Sequence, residues 1–201
     1  MDPSLYDDVV SVPRAARFPI ELRPPHAFRA DDPATWPSVD GRLELVDGRL
    51  LYMPPCGDTQ QYVATMVSFI LARWARGHRE FVVGSNEAGM RLGADTRGAD
   101  AAVWLRHSVS PRTGKFQRVP PVLAVEVAGL DEEEPRLQEK ARWYLGHDVK
   151  IVWIVLPDLR EVVVVRAEGQ LRCAMGQTLP REPELPDLEP SVDEIFAQLL
   201  E

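Results

Sequence analysis

The sequence predicts a mixed α/β fold, an α+β arrangement in which helices flank a sheet of parallel and antiparallel strands. Three observations predict it. The runs "VLAVEVA" and "KIVWIVL" are apolar nearly throughout, as strands covered on both faces are. A helix-patterned segment lies between them, which predicts a parallel pair joined by a right-handed crossover. Asp47-Gly48 separates two strand-like stretches, the two-residue signal of a type I′ hairpin and therefore of antiparallel pairing.

The elements follow in chain order. Residues 1–40 hold seven of the eighteen prolines and show no sustained periodicity, so they predict an extended N-terminal extension. Regular structure begins with the hairpin strands Leu43 to Val46 and Arg49 to Met53, the second stopped by Pro54-Pro55. In "DTQQYVATMVSFILARWARG", Tyr62, Val63, Met66, Val67, Ile70, Leu71 and Trp74 recur at helical spacing. Asp58 or Thr59 caps this helix and Gly77 closes it. Strands are expected at Phe81 to Ser85, Gly89 to Leu92 and Ala99 to Leu105, then a basic loop, "RHSVSPRTGKFQR", and the strand Val122 to Ala128. "DEEEPRLQEKARWYLG" predicts a second helix ending at Gly146. Strands "KIVWIVL" and "EVVVVRA" follow around the turn "PDLR", then a short strand near Leu171 to Met175. The proline-punctuated "REPELPDLEP" leads into a last helix, "SVDEIFAQLL".

At 201 residues one domain is expected, and the 45% hydrophobic content is enough for a sizeable core. No apolar run approaches the roughly 20 residues that span a bilayer, and the acidic start "MDPSLYDDVV" is not a secretory signal, so a soluble, cytoplasmic protein is expected. Cys56 and Cys173 lie far apart with no CxxC, and His26, His78, His107 and His147 are scattered singly. That pattern speaks against a disulfide framework, a zinc site and a Ser-His-Asp triad. The net charge of −8 argues weakly against nucleic acid as a partner. The acidity sits at the ends, however: residues 181–201 carry −6, residues 1–40 carry −3, and the body between them carries +1.

Two acids stand out. Glu126 lies in the middle of "VLAVEVAG", and Asp100 lies in "GADAAVWL", each alone among apolar or small residues. An unpaired ionised carboxylate in a dry strand is costly, so such groups are paired, metal-bound or protonated. If the two strands are neighbours, the carboxylates lie side by side, which is either strongly unfavourable or a divalent-cation site. Taken alone, Asp100 could equally start its strand and cap a turn. Lys140 and Tyr144 form an i, i+4 pair on one face of the second helix, although a lone helix lysine is ordinarily solvated. Trp143 and Tyr144 are expected to serve packing. Glu44 alternates with Leu43 and Leu45, and by itself reads as an outward-facing strand residue.

The strings "LELVDGRLLYMPP", "RGADAAVWL", "PPVLAVEVAG", "KARWYLGHDVKIVWIVLPDLREVVVVR" and "LPDLEPSVDEIFA", with an amphipathic helix after the first, resemble in that order the Uma-two family of restriction endonuclease-like proteins. That family belongs to the PD-(D/E)XK nuclease superfamily, and the likeness covers residues 41 to 198. It implies a nuclease-like domain over 41–201 and a metal-dependent DNA endonuclease. In the family pattern Asp100 and Glu126 bind Mg²⁺ (or Mn²⁺), and Lys140 and Glu44 complete the catalytic set. Ala99 stands where proline usually precedes the aspartate, and Ala128 where the superfamily has its lysine, a place the helix lysine takes in this family. Gln60 or Gln61 stands where a histidine commonly begins the first long helix. The resemblance implies DNA as substrate, and a homodimer suits an enzyme that cuts both strands, although no residue here demands one. The alternative is a catalytically inactive nucleic-acid-binding or assembly module on the same fold. A plain oligomeric structural protein fits the composition but leaves the two embedded acids unexplained.

Overall fold

The computed structural model describes residues 18–109, 111–130 and 132–199. Within them, nine strands form one mixed sheet in the order β1-β3-β2-β5-β6-β7-β8-β9, with β4 also paired to β5. The hairpin is β2 (Arg42–Val46) and β3 (Arg49–Met53), in register from Arg42↔Met53 to Val46↔Arg49. Asp47 and Gly48 both have positive φ, as a two-residue I′ turn requires. The proline-rich extension is not wholly irregular. Its residues Ile20–Leu22 form β1, which pairs with β3 at the sheet edge.

Helix α1 spans Asp58–Ala75 and buries Val63, Val67, Ile70, Leu71 and Trp74. Its N-cap residue is Gly57, which makes no side-chain cap, while Asp58 Oδ1 accepts the N–H of Thr59 at 2.7 Å. After it, one long strand β4 (Phe81–Leu92) stands where the sequence predicts two. A bulge between Ser85 and Ala88, with Asn86 and Glu87 at positive φ, absorbs the break in pattern. Strand β5 (Asp95–Leu105) begins four residues before the expected Ala99. Gly93, at φ 61°, makes a two-residue turn that pairs Leu92 with Asp95, a signal less legible than Asn-Gly or Asp-Gly.

Strand β6 (Leu123–Val127) pairs antiparallel with β5 and parallel with β7 (Ile151–Leu156), and α2 (Glu134–Gly146) connects the parallel pair. Pro135 sits in the first turn of α2, the one place a helix accepts proline readily, which explains a start later than Asp131. Strands β8 (Glu161–Arg166) and β9 (Gly169–Ala174) complete the sheet as an antiparallel meander. The last expected helix is only one turn, α3 (Val192–Ile195), followed by a 3-10 turn. Ser191 Oγ accepts the N–H of Glu194 as its cap.

Alternation along the central strands divides the core between the two sheet faces. Val125, Val127, Trp153, Val155, Val162 and Val164 face α1 and the C-terminal segment, where Ile195 and Phe196 are fully buried. Ala102, Ala124, Val152, Ile154 and Val163 face α2, which presents Leu137, Ala141 and Tyr144. Both faces are therefore covered, as the unbroken apolar runs predict. Among the described residues no helix is long and apolar enough to cross a membrane, and Cys56 and Cys173 are both free.

Candidate active site at a fork in the sheet

One edge of β5 serves two partners in succession. Near its start Thr96 pairs with Leu45 of β2, and from Ala101 onward it pairs with Val125 to Leu123 of β6. Between these stretches the edge is open, and Asp100 lies in the opening. Continuing the register by one step sets Asp100 opposite Glu126, on the face shared by Ala102, Ala124 and α2. The Asp100 carboxylate staples the fork. Its Oδ2 accepts the N–H of Val127 at 2.7 Å, and its Oδ1 meets Arg42 Nη1 of β2 at 3.4 Å.

Glu126 is 1% exposed, so its charge depends on protein partners alone. Both come from α2 and explain the i, i+4 spacing. Lys140 Nζ donates to Oε2 at 3.0 Å and Tyr144 Oη donates to Oε1 at 2.6 Å. Lys140 also pairs with Glu132, in the segment just before α2, at 3.1 Å. The sequence reading assigns Tyr144 to packing; in the structure its hydroxyl joins the Glu126 cluster, as does Glu132 from the acidic stretch before α2.

Glu44 faces inward. It is 3% exposed, contrary to the outward-facing reading that strand alternation favours, because Arg97, itself stacked on Trp143 of α2, lies against it. Arg97 Nη1 donates to its Oε2 at 2.9 Å, and the Gly98 N–H reaches Oε1 at 3.4 Å. Arg97 in turn lies over the Trp143 ring, 4.9 Å from its centroid, and Trp143 Nε1 donates to Asp95 at 2.8 Å. Glu44 thus bonds to neither member of the acid pair and acts on Glu126 through its field. Gln60, 5% exposed, donates from Nε2 to the carbonyl of Val127 at 2.9 Å and fixes the end of β6 from the α1 side. Gly129 permits this, since a Cβ there would lie 3.0 Å from Gln60 Oε1. Gln61 instead donates to the Cys56 carbonyl from an exposed position.

The electrostatics follow from burial. Desolvation pushes Glu126 up to about 7, against the pull of Lys140, with Asp100 and Glu44 adding to the rise. Burial likewise raises Asp100, and the Arg42 charge and the Val127 N–H only partly offset it. Burial disfavours the ammonium of Lys140, but Glu126, Glu44 and Glu132 outweigh that and hold it above the usual lysine range. Tyr144 is held well above the ordinary phenol value, first by burial and then by Glu126, so it remains a donor. Glu132 moves the other way: burial opposes its charge, but Lys140 prevails and lowers its pKa.

Asp100 and Glu126 suit a hard divalent cation on two counts. Their donors are carboxylate oxygens, and with Glu132, which shares Lys140, they make three carboxylates facing the two cations Arg42 and Lys140. No group of three or more His, Cys, Asp or Glu converges to hold a metal among the described residues, so water and substrate oxygens would fill the remaining positions. Two openings flank the site. The larger, about 310 Å³, lies between the start of α1 and the ends of β6 and β7, and carries Asp58, Glu132, Glu134 and Asp158. The smaller, about 70 Å³, is lined by Arg42, Glu44, Glu87, Arg97 and Phe116. Sequence reasoning passed over Arg42, although it lies two residues before Glu44 and therefore on the same strand face.

The fold is similar to that of a crystal structure from Anabaena variabilis described as a putative nuclease belonging to DUF820. The TM-score is 0.73 at 15% identity, over 83% of this chain and 96% of that one. No curated protein sequence matches the chain. The profile of the family Uma2, described as "Putative restriction endonuclease", matches residues 31–195. This chain, with its paired acids at the fork of a mixed sheet, belongs to the Uma2 family.

Proposed function

We propose that the protein is a divalent-cation-dependent DNA endonuclease that hydrolyses phosphodiester bonds. The observation that carries this reading is the meeting of Asp100 and Glu126 at the open edge of β5, with Lys140 bonded to Glu126. In this reading Asp100 and Glu126 hold Mg²⁺ or Mn²⁺. Bound there, the cation neutralises charge on a phosphodiester and makes water more acidic. Lys140, fixed between Glu126 and Glu132, orients the attacking water or stabilises charge gathering on the phosphate. Tyr144 and the Val127 N–H keep the two carboxylates aimed. Glu44 supports the site by holding Arg97 and adding to the negative field. A pair of copies would cut both strands of a duplex.

The test is cleavage of supercoiled and linear DNA with Mg²⁺ or Mn²⁺ by the wild-type protein and by Asp100→Ala, Glu126→Ala and Lys140→Ala. Each variant is expected to lose at least about a hundredfold in rate. Cleavage retained in all three overturns the proposal. One observation favours a second reading, a nucleic-acid-binding or assembly module without catalysis: both acids already have basic partners, Arg42 and Lys140. Metal-independent DNA binding with no cleavage by the wild-type protein would decide for it.

A further inference from the structure

We propose that Arg42 is a shared guanidinium: it neutralises Asp100 in the metal-free chain, gives that carboxylate up when a divalent cation binds, and then contacts the substrate phosphate. This rests on the reading that Asp100 and Glu126 hold the cation. Arg42 is 88% buried at its side chain, being 12% exposed, and stands between two carboxylates. On one side is Asp100 Oδ1, at 3.4 Å, a long contact that engages a single nitrogen and not the bidentate fork of a committed arginine pair. On the other is Glu87 Oε1, 3.9 Å from Arg42 Nε and 45% exposed. Asp100 keeps its second oxygen on the Val127 N–H, so Oδ1 is the oxygen free to change partner. A guanidinium cannot shed its charge at any ordinary pH, so a cation arriving at Asp100 must move it aside. Glu87, held at positive φ in the β4 bulge, is the carboxylate waiting on that side.

The two openings differ in charge, and the difference favours the smaller one for an arriving phosphate. Four acids line the larger one, which repels a polyanion. The smaller one carries Arg42 and Arg97 against Glu44 and Glu87, so its lining is neutral overall, and the basic loop borders it: Phe116 forms part of its wall, and Gln117 is stitched to Gly89 and Arg91 of β4. Arg42 therefore faces the side from which a phosphate comes, with planar donors matched to its oxygens.

The experiment is calorimetric titration of Mn²⁺ into the wild-type protein, Arg42→Ala, Arg42→Gln and a distant charge control, Arg49→Ala, whose guanidinium pairs with Glu21 at an exposed position. Thermal melting verifies that each is folded, and cleavage is then measured at saturating Mn²⁺. Both Arg42 variants should bind Mn²⁺ about tenfold more tightly while cutting about a hundredfold more slowly. Arg49→Ala should match the wild-type protein in both. Unchanged or weaker Mn²⁺ binding in the folded Arg42 variants, with binding intact in the wild type, overturns this inference and leaves the endonuclease reading standing. Tighter binding with unaltered cleavage overturns the phosphate contact. No Mn²⁺ binding by any of the proteins overturns the metal reading and this inference together.

Discussion

Two glutamates, Glu126 and Glu182, are buried almost equally, at 1% and 4% exposure, and their surroundings could hardly differ more. Glu182 is clasped by one arginine. Arg166 donates from Nε at 2.8 and 2.9 Å and from Nη2 as well, so both carboxylate oxygens are engaged by a cation that is itself 27% exposed. The pair fastens the proline-punctuated segment to β8 and leaves nothing over. Glu126 receives one bond from an amine shared with Glu132 and one from a neutral phenol, and a second buried acid, Asp100, stands opposite with Arg42 beside it, so three carboxylates meet two cations. The first arrangement closes a charge; the second keeps one in surplus. Burial of an acid is therefore not by itself the mark of a site; the proposed function assigns that role to the cluster with fewer cations than carboxylates.

The contrast has measurable consequences. The largest concerns cleavage: Glu126→Gln should lose about a thousandfold in rate, near 4 kcal/mol in activation free energy, while Glu182→Gln should stay within about twofold per folded molecule. Comparable losses in both would erase the distinction between the two glutamates.

Next comes pH. Glu126 titrates near 7 when folded and near 4.5 when unfolded, so the folded chain holds this proton more tightly. The associated stability is whole below pH 4.5 and is lost as pH rises through about 7. Urea unfolding with EDTA present should show the wild-type protein losing roughly 2–3 kcal/mol relative to Glu126→Gln between pH 5 and pH 8. Parallel profiles would mean that Lys140 and Tyr144 satisfy the carboxylate fully.

A smaller effect is expected at the closed pair. Glu182→Ala should cost about 2 kcal/mol at pH 7, below the roughly 3–5 kcal/mol of a fully buried pair because Arg166 reaches solvent. Smallest is Tyr144→Phe, which removes the 2.6 Å bond to Glu126 and should cost about 1 kcal/mol, read from the same unfolding curves at pH 8.

Much of this architecture is legible in residue order. The unbroken apolar runs of β6 and β7 announce a sheet covered on both faces, and Asp47-Gly48 announces its hairpin. Glu126 is conspicuous because charge in such a run has so few explanations. The partners are less visible, for physical reasons. Tyr144 serves core and site at once, and its type does not say which. Arg42 and Glu44 look like a solvated strand face until their partners Asp100 and Arg97, both on β5, are known. Glu132 sits among acids that the dipole of α2 accounts for without it. The open edge of β5, which gathers all of these, depends on β2 and β6 sharing one side of a strand more than 50 residues after one and 20 before the other; no local pattern encodes it.

Anomalous diffraction from crystals soaked in Mn²⁺ would show whether the two acids hold a cation. A peak bonded to oxygens of both Asp100 and Glu126, at roughly 2.1–2.2 Å, is expected, with Arg42 drawn away from Asp100. A chain that binds Mn²⁺ elsewhere, or crystals with both carboxylates still on Arg42 and Lys140 at saturating Mn²⁺, would contradict it.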